Sequence, residues 1–283
     1  MTPAHQTGRC NSSGLEIFYR RLGKPARTPI LFVHGLSYFS WDWLPVAAAF
    51  AGDRECVAVD MRGFGDSDRS PAKDYSVPSM AQDLAIVLDH LQWKRAIVLG
   101  HSMGGRSTTY LASKQPQRVA GLVLVDYSPD NAPAGSKRTA QTVAGAPEVF
   151  VSIEDAMKYF NAAPDKRERY EAYLKPVAGG LELKRDPHFR SQFRKMLDTG
   201  ERPQLGVDMW RVLGEVCCPI LSVRGTRSDM YAPETVAKMK AANAGLQVVE
   251  VDAGHNIGGE NPQGLIAAMK PFLAALEEKS HAH

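Results

Sequence analysis

The chain has 283 residues, 44% of them apolar and 23% charged, a globular balance that excludes a disordered or fibrous polypeptide. Its 34 Lys/Arg against 31 Asp/Glu leave a net charge of +3, too weak a bias to argue for nucleic acid or an anionic membrane as partner. No apolar run approaches the roughly 18 residues a membrane-crossing helix needs, so a small molecule is the expected partner of a monomer or homodimer.

The opening segment, MTPAHQTGRCNSSG, has no apolar stretch of the signal-peptide kind, so a cytoplasmic protein is expected. Four cysteines, Cys10, Cys56, Cys217 and Cys218, form no C-x-x-C pair. Reduced structural thiols are expected, with neither a zinc site nor a redox motif. Two histidines in the tail, His281 and His283, lack further ligands, and no metal is assigned to them. Leu15 to Arg20 alternates and reads as an edge strand. Apolar runs follow at 29–33 (PILFV), 55–60 (ECVAVD), 95–99 (RAIVL), 121–126 (GLVLVD), 219–224 (PILSVR) and 246–252 (LQVVEVD). Runs apolar on both faces predict parallel strands covered by helices.

Helices are predicted between them. Met80, Leu84, Val87, Leu88 and Leu91 recur at helical spacing. Ser79 with Gln82 offers a capping box there, and Ser76 is a competing N-cap. A second helix begins after Ser102 and runs to about Gln115, and a third closes the chain over 262–278, with Pro262 in its first turn. Strand–helix alternation of this kind predicts a mostly parallel, doubly wound α/β sheet. The rhythm breaks over 128–215, which holds 14 Lys/Arg and 13 Asp/Glu and no apolar strand. It reads as a helical insertion. The expected layout is a core of 1–127 plus 216–283 and a cap of 128–215 lying where open α/β sheets bind ligands.

The strongest chemical signal is GHSMGG at 100–105. G-x-S-x-G between an apolar strand and a helix is the setting of a nucleophile elbow. It predicts a strained, positive φ at Ser102 and close strand–helix contact at Gly100 and Gly104. With HGLSYFSWDW (34–43), DMRGFGDS (60–67) and GHNIGGENP (254–262), this motif resembles the α/β-hydrolase superfamily from about residue 14 onward. GHSMGGR, VDYSP and VRGTRSD narrow the likeness to the group containing 2-(acetamidomethylene)succinate hydrolase.

The resemblance implies an α/β-hydrolase fold with a helical cap and no cofactor. Ser102 would be the nucleophile and His255 the general base, because a serine hydroxyl attacks only when an imidazole takes its proton. The backbone N–H groups of Leu36 and Met103 would hold the oxyanion. His34 and His101 are expected to be structural, as is the DMRGFGDS turn, with Asp60, Arg62 and Ser67 bonding its backbone. Two residues compete to orient His255. The superfamily's usual acid stands three residues after the glycine that ends the penultimate strand, and here that residue is Ser228, one short of Asp229. Asp126 ends the preceding strand and matches the acid of the narrower group, so Asp126 is preferred and Asp229 is the alternative.

Tyr38, Phe39, Trp41, Phe64, Met103, Tyr127, Trp210 and Met230 are candidate pocket walls, with Trp43 packing on a neighbouring helix. Arg106 offers itself to a substrate carboxylate, although pairing with cap carboxylates is the preferred reading. The predicted activity is hydrolysis of an ester, thioester, lactone or activated amide of a small organic acid through an acyl-enzyme. Carbon–carbon bond hydrolysis, cofactor-free haloperoxidase chemistry and a slow, receptor-like binding protein are the alternatives. The usual haloalkane dehalogenase and epoxide hydrolase chemistries need Asp at position 102 and are excluded.

Overall fold

Segments buried on both faces become the middle of one eight-stranded sheet. In this computed structural model residues 2–201 and 205–281 are described; His283 lies outside them. The strands are β1 (Gln6–Ser12), β2 (Leu15–Gly23), β3 (Arg27–Val33), β4 (Arg54–Val59), β5 (Ala96–His101) and β6 (Val119–Val125), then β7 (Leu174–Val177) and β8 (Gly180–Leu183), and finally β9 (Ile220–Gly225) and β10 (Leu246–Val251). The sheet order is β1-β2-β4-β3-β5-β6-β9-β10, antiparallel at β1–β2 and β2–β4 and parallel elsewhere. This is the mostly parallel α/β architecture the sequence predicts.

The helices are α1 (Leu44–Ala48), α2 (Val77–His90), α3 (Met103–Lys114), α4 (Pro133–Gly145), α5 (Ile153–Tyr159), α6 (Arg167–Tyr173), α7 (Pro187–Thr199), α8 (Met209–Gly214), α9 (Pro233–Ala242), α10 (Ile257–Glu260) and α11 (Pro262–His281). Strand alternation divides the core in two. Leu31, Val33, Val57, Val98 and Leu122 face α2, α3, α8 and α9. Ile30, Phe32, Ala58, Leu99 and Val123 face α1 and α11. Burying each large aliphatic or aromatic side chain contributes about 1.5–3 kcal/mol, so the sheet is a rigid base for the loops at its carboxyl ends. No helix among the described residues is long and apolar enough to cross a membrane.

Four details depart from the sequence reading. Strand β1 is absent from it because QTGRCNS is polar and buries only Cys10 and Ser12. Ser76, not Ser79, caps α2, its hydroxyl accepting from the Ser79 N–H. The insertion is not wholly helical: β7 and β8 pair as an antiparallel hairpin whose four-residue strands are too short to give a periodic signal. Helix α8 packs Met209, Val212 and Leu213 into the cluster formed by α2, α3 and α9, beside the sheet rather than over its edge.

The DMRGFGDS turn is built largely as expected. Gly63 and Gly65 have φ of 79° and 56°. Asp60 accepts from the N–H groups of Ser40 (2.7 Å) and Asp66 (2.8 Å), and Ser67 Oγ donates to the Asp60 carbonyl (2.6 Å). Arg62 differs: its guanidinium grips Asp83 of α2 at 2.6 and 2.8 Å, tying the turn to that helix.

Candidate active site

Strand β5 hands directly to α3 at Ser102, whose φ of 51° and ψ of −115° are strained for a residue with a side chain. Close packing imposes this turn. A Cβ on Gly100 would lie 2.2 Å from Thr108 Oγ1, and one on Gly104 would lie 2.5 Å from the His34 carbonyl. The helix can therefore start hard against β3 and β5 only with glycine at both places.

His255 lies between β10 and α10, with its Nε2 3.0 Å from Ser102 Oγ. Its Nδ1 is 2.7 Å from Asp126 Oδ2. Asp126 follows β6, is 1% exposed, and has a positive φ of 43°. Its Oδ1 accepts from the Gly225 N–H (2.9 Å), and its Oδ2 also accepts from Ser228 Oγ (2.5 Å). Both oxygens of this buried carboxylate thus meet donors, one on Oδ1 and two on Oδ2. Ser228 Oγ in turn accepts from the Met230 and Tyr231 N–H groups. The position that the usual superfamily layout gives to an acid is filled by a serine that braces Asp126. Its place three residues after Gly225 was the signal available in the sequence.

Asp229 is engaged elsewhere. Arg138 of α4 binds both its oxygens, at 2.6 and 2.8 Å, and holds its carboxyl below the usual carboxylate range. The structure brings Ser102, His255 and Asp126 into one hydrogen-bonded line and leaves Asp229 in an ion pair.

The two neighbouring histidines hold loops. The Met61 N–H donates to His34 Nε2 (2.9 Å), so the ring proton sits on Nδ1 and is donated to the Gly35 carbonyl (2.7 Å). His101 bonds the His255 carbonyl through Nε2 at 2.9 Å, and the two rings lie 4.7 Å apart. Burial pushes the titration of both His34 and His101 down, His101 well below 6.5, so the ring beside His255 is neutral.

Ser102 and His255 open on a cleft of about 1390 Å³. Leu36 and Met103 line it, and neither N–H meets an acceptor among the described residues. Tyr38, Trp41 and Met230 also line it, as expected. Four expected wall residues do not. Phe39 is fully buried and stacks on Tyr173 at 4.8 Å. Phe64 is fully buried against Phe189. Tyr127 turns beneath α3 against Gly105, because the positive φ of Asp126 redirects the chain. Trp210 rides on α8 and packs on the sheet-side core. Trp43 lies over Phe32 and beside Gly258. In their place the insertion supplies Tyr159, Phe160, Tyr170, Phe193 and Met196. No sequence signal distinguishes these from ordinary helix residues.

Among the ion pairs that tie the insertion to the core, which include Lys73–Asp186 and Lys184–Asp66, two are arginine forks on a carboxylate. Arg138–Asp229 is one. The other is Arg169 of α6, whose guanidinium binds Asp42 at 2.6 and 2.9 Å and the Ser37 carbonyl at 3.2 Å. Arg106 makes no such pair among the described residues, against the preferred expectation.

A family model described as "alpha/beta hydrolase fold" matches residues 28–262. The chain belongs to the α/β-hydrolase family. Three relatives place it further. It is 33% identical over 274 residues to a 3-hydroxybutyrate-oligomer hydrolase from Cupriavidus necator, covering 91% of this chain and 92% of that one. It is 42% identical over 262 residues to esterase YbfF of Escherichia coli, covering 87% and 93%. The third is 2-(acetamidomethylene)succinate hydrolase: the Mesorhizobium japonicum sequence is 30% identical over 253 residues, covering 87% and 88%. A crystal structure of that enzyme superposes with a TM-score of 0.84 at 26% identity, covering 96% of this chain and all of that one. This α/β-hydrolase is an enzyme, and the group to which its motifs point is among its relatives.

Proposed function

We propose that this α/β-hydrolase is a serine hydrolase acting on an ester, thioester, lactone or activated amide of a small organic acid through an acyl-enzyme. The observation that carries the reading is the unbroken line Ser102–His255–Asp126 on the floor of the cleft, beside two N–H groups with no partner. His255 Nε2 takes the Ser102 proton as Oγ attacks the acyl carbon. Asp126 keeps the proton on Nδ1 and stabilises the imidazolium that forms. The Leu36 and Met103 N–H groups receive the oxyanion, each contributing about 2.7–4 kcal/mol to the transition state. His255 then protonates the leaving group, and water, deprotonated by the same nitrogen, releases the acid. A relative named as an esterase and another named as an oligomer hydrolase support the reaction class.

In this reading the insertion, expected over 128–215, forms the cap, and the aromatic side chains of α5–α7 select the acyl or leaving group. A screen of p-nitrophenyl esters, lactones and aryl amides, each run against a Ser102→Ala control, tests the proposal. Turnover of at least one class is expected, and none of it in the control. Activity that survives in the control would defeat the reading.

Ser228 acts as a positioning residue through Asp126. Ser228→Ala should lower kcat about 10-fold, the cost of one charge-assisted hydrogen bond, with KM nearly constant. Ser228→Thr, which keeps the hydroxyl, should recover most of the loss. A loss in KM alone, or no rescue by threonine, would mean that Ser228 shapes the loop and nothing more.

A further inference from the structure

Arg106 lies in the first turn of α3, four residues after Ser102, the residue that precedes the helix. It lines the cleft. Its Nε is shielded from solvent and has no hydrogen-bond partner, and no carboxylate among the described residues lies within ion-pairing reach of its guanidinium. The next residue, Ser107, is 1% exposed, also lines the cleft, and its Oγ is likewise without a partner. Of the other arginines of the wall, Arg138 and Arg169 each hold a carboxylate by two hydrogen bonds, and Arg185, which holds none, donates to Ser37 Oγ at 3.3 Å.

A guanidinium whose Nε is shielded from water without a partner carries a desolvation penalty that nothing offsets. Burial indeed pushes Arg106 below its ordinary value, and Tyr127 is the one neighbour acting the other way. An orphan cation and an orphan hydroxyl on consecutive residues that both line the cleft are what a carboxylate would satisfy, since it accepts from a guanidinium fork and a hydroxyl together.

We infer that Arg106 and Ser107 form a carboxylate subsite, and that the enzyme acts on acyl groups carrying a second, free carboxylate about one helical turn from the reacting carbon. The assignment of that carboxylate to the acyl substrate rests on the serine-hydrolase reading; the anion subsite itself does not. The substrate class is therefore a half-ester, half-thioester or half-amide of a short dicarboxylic acid.

The test compares mono-p-nitrophenyl glutarate with p-nitrophenyl valerate, which has a methyl group in place of the carboxylate. The wild type should favour the glutarate ester in kcat/KM, and Arg106→Gln should erase about 10- to 100-fold of that preference. Arg106→Lys, which keeps the charge and the stem but not the fork, should retain part of it, and it serves if the Gln variant does not fold. A second readout needs no turnover. Glutarate should raise the melting temperature of Ser102→Ala saturably, and it should not do so in Ser102→Ala/Arg106→Gln. Equal handling of the two esters with no glutarate binding would overturn the subsite and leave the hydrolase reading standing. Glutarate binding through Arg106 without turnover of either ester would keep the subsite and overturn the hydrolase reading.

Discussion

Asp126→Asn is expected to lower kcat on a small activated ester by about 10⁴-fold, with little change in KM. The carboxylate accepts from three donors at once: the Gly225 N–H, Ser228 Oγ and His255 Nδ1. An amide at this place keeps the shape but presents an NH₂ to one of them. If that NH₂ meets Nδ1, the imidazole must carry its proton on Nε2, where it cannot accept from Ser102. A change of this kind in a serine protease costs about 10⁴ in kcat. The companion variant, Asp229→Asn, should cost at most a few fold, because it breaks only the ion pair with Arg138, which is itself more than half exposed. Steady-state kinetics of the two on one ester decide the matter. The reverse ranking would restore the acid to the penultimate strand and contradict the role given to Ser228.

The largest loss should come from Ser102→Ala, about 10⁵- to 10⁶-fold in kcat, leaving what the oxyanion donors and binding supply. The fold should survive, since the glycines that permit the elbow are untouched and the strained φ of 51° remains. The residual strain costs the same in both proteins, so the melting temperatures should agree closely. A large drop in melting temperature would mean that the loss of activity reports unfolding and not chemistry.

Much of the fold could be read from the sequence because parallel strands in the sheet leave continuous apolar runs, and all six such segments lie in the sheet. What escaped was what periodicity does not encode. Strand β1 is held by backbone pairing to β2 along a polar edge. The β7–β8 hairpin is four residues a side, and Lys175 and Glu182 face each other across it. The proposed site was legible in Ser102 and His255, which sit in motifs whose glycines have a steric reason. The spacing from Gly225 raises the choice between Asp126 and Asp229, and it is Asp126 that lies against His255 Nδ1.

The walls were less legible. An aromatic residue beside a motif does not reveal which way it points: Tyr127 follows Asp126 directly, yet the positive φ there sends it under α3. Trp210 falls within 128–215 in the sequence, whereas α8 packs its apolar face on the sheet-side core. Arg106 reads as a partner for the carboxylates of the insertion, yet, although Asp130, Asp165 and Glu168 also line the cleft, no ion pair joins any of them to Arg106 among the described residues.

Covalent labelling tests the central claim, nucleophilic attack by Ser102, most directly. The protein would be treated with a fluorophosphonate, its intact mass recorded, and the labelled peptide sequenced by mass spectrometry. A single adduct on the peptide bearing Ser102, absent from Ser102→Ala and strongly slowed in His255→Ala, is the predicted result. An adduct on another residue, or one that persists in Ser102→Ala, would contradict it.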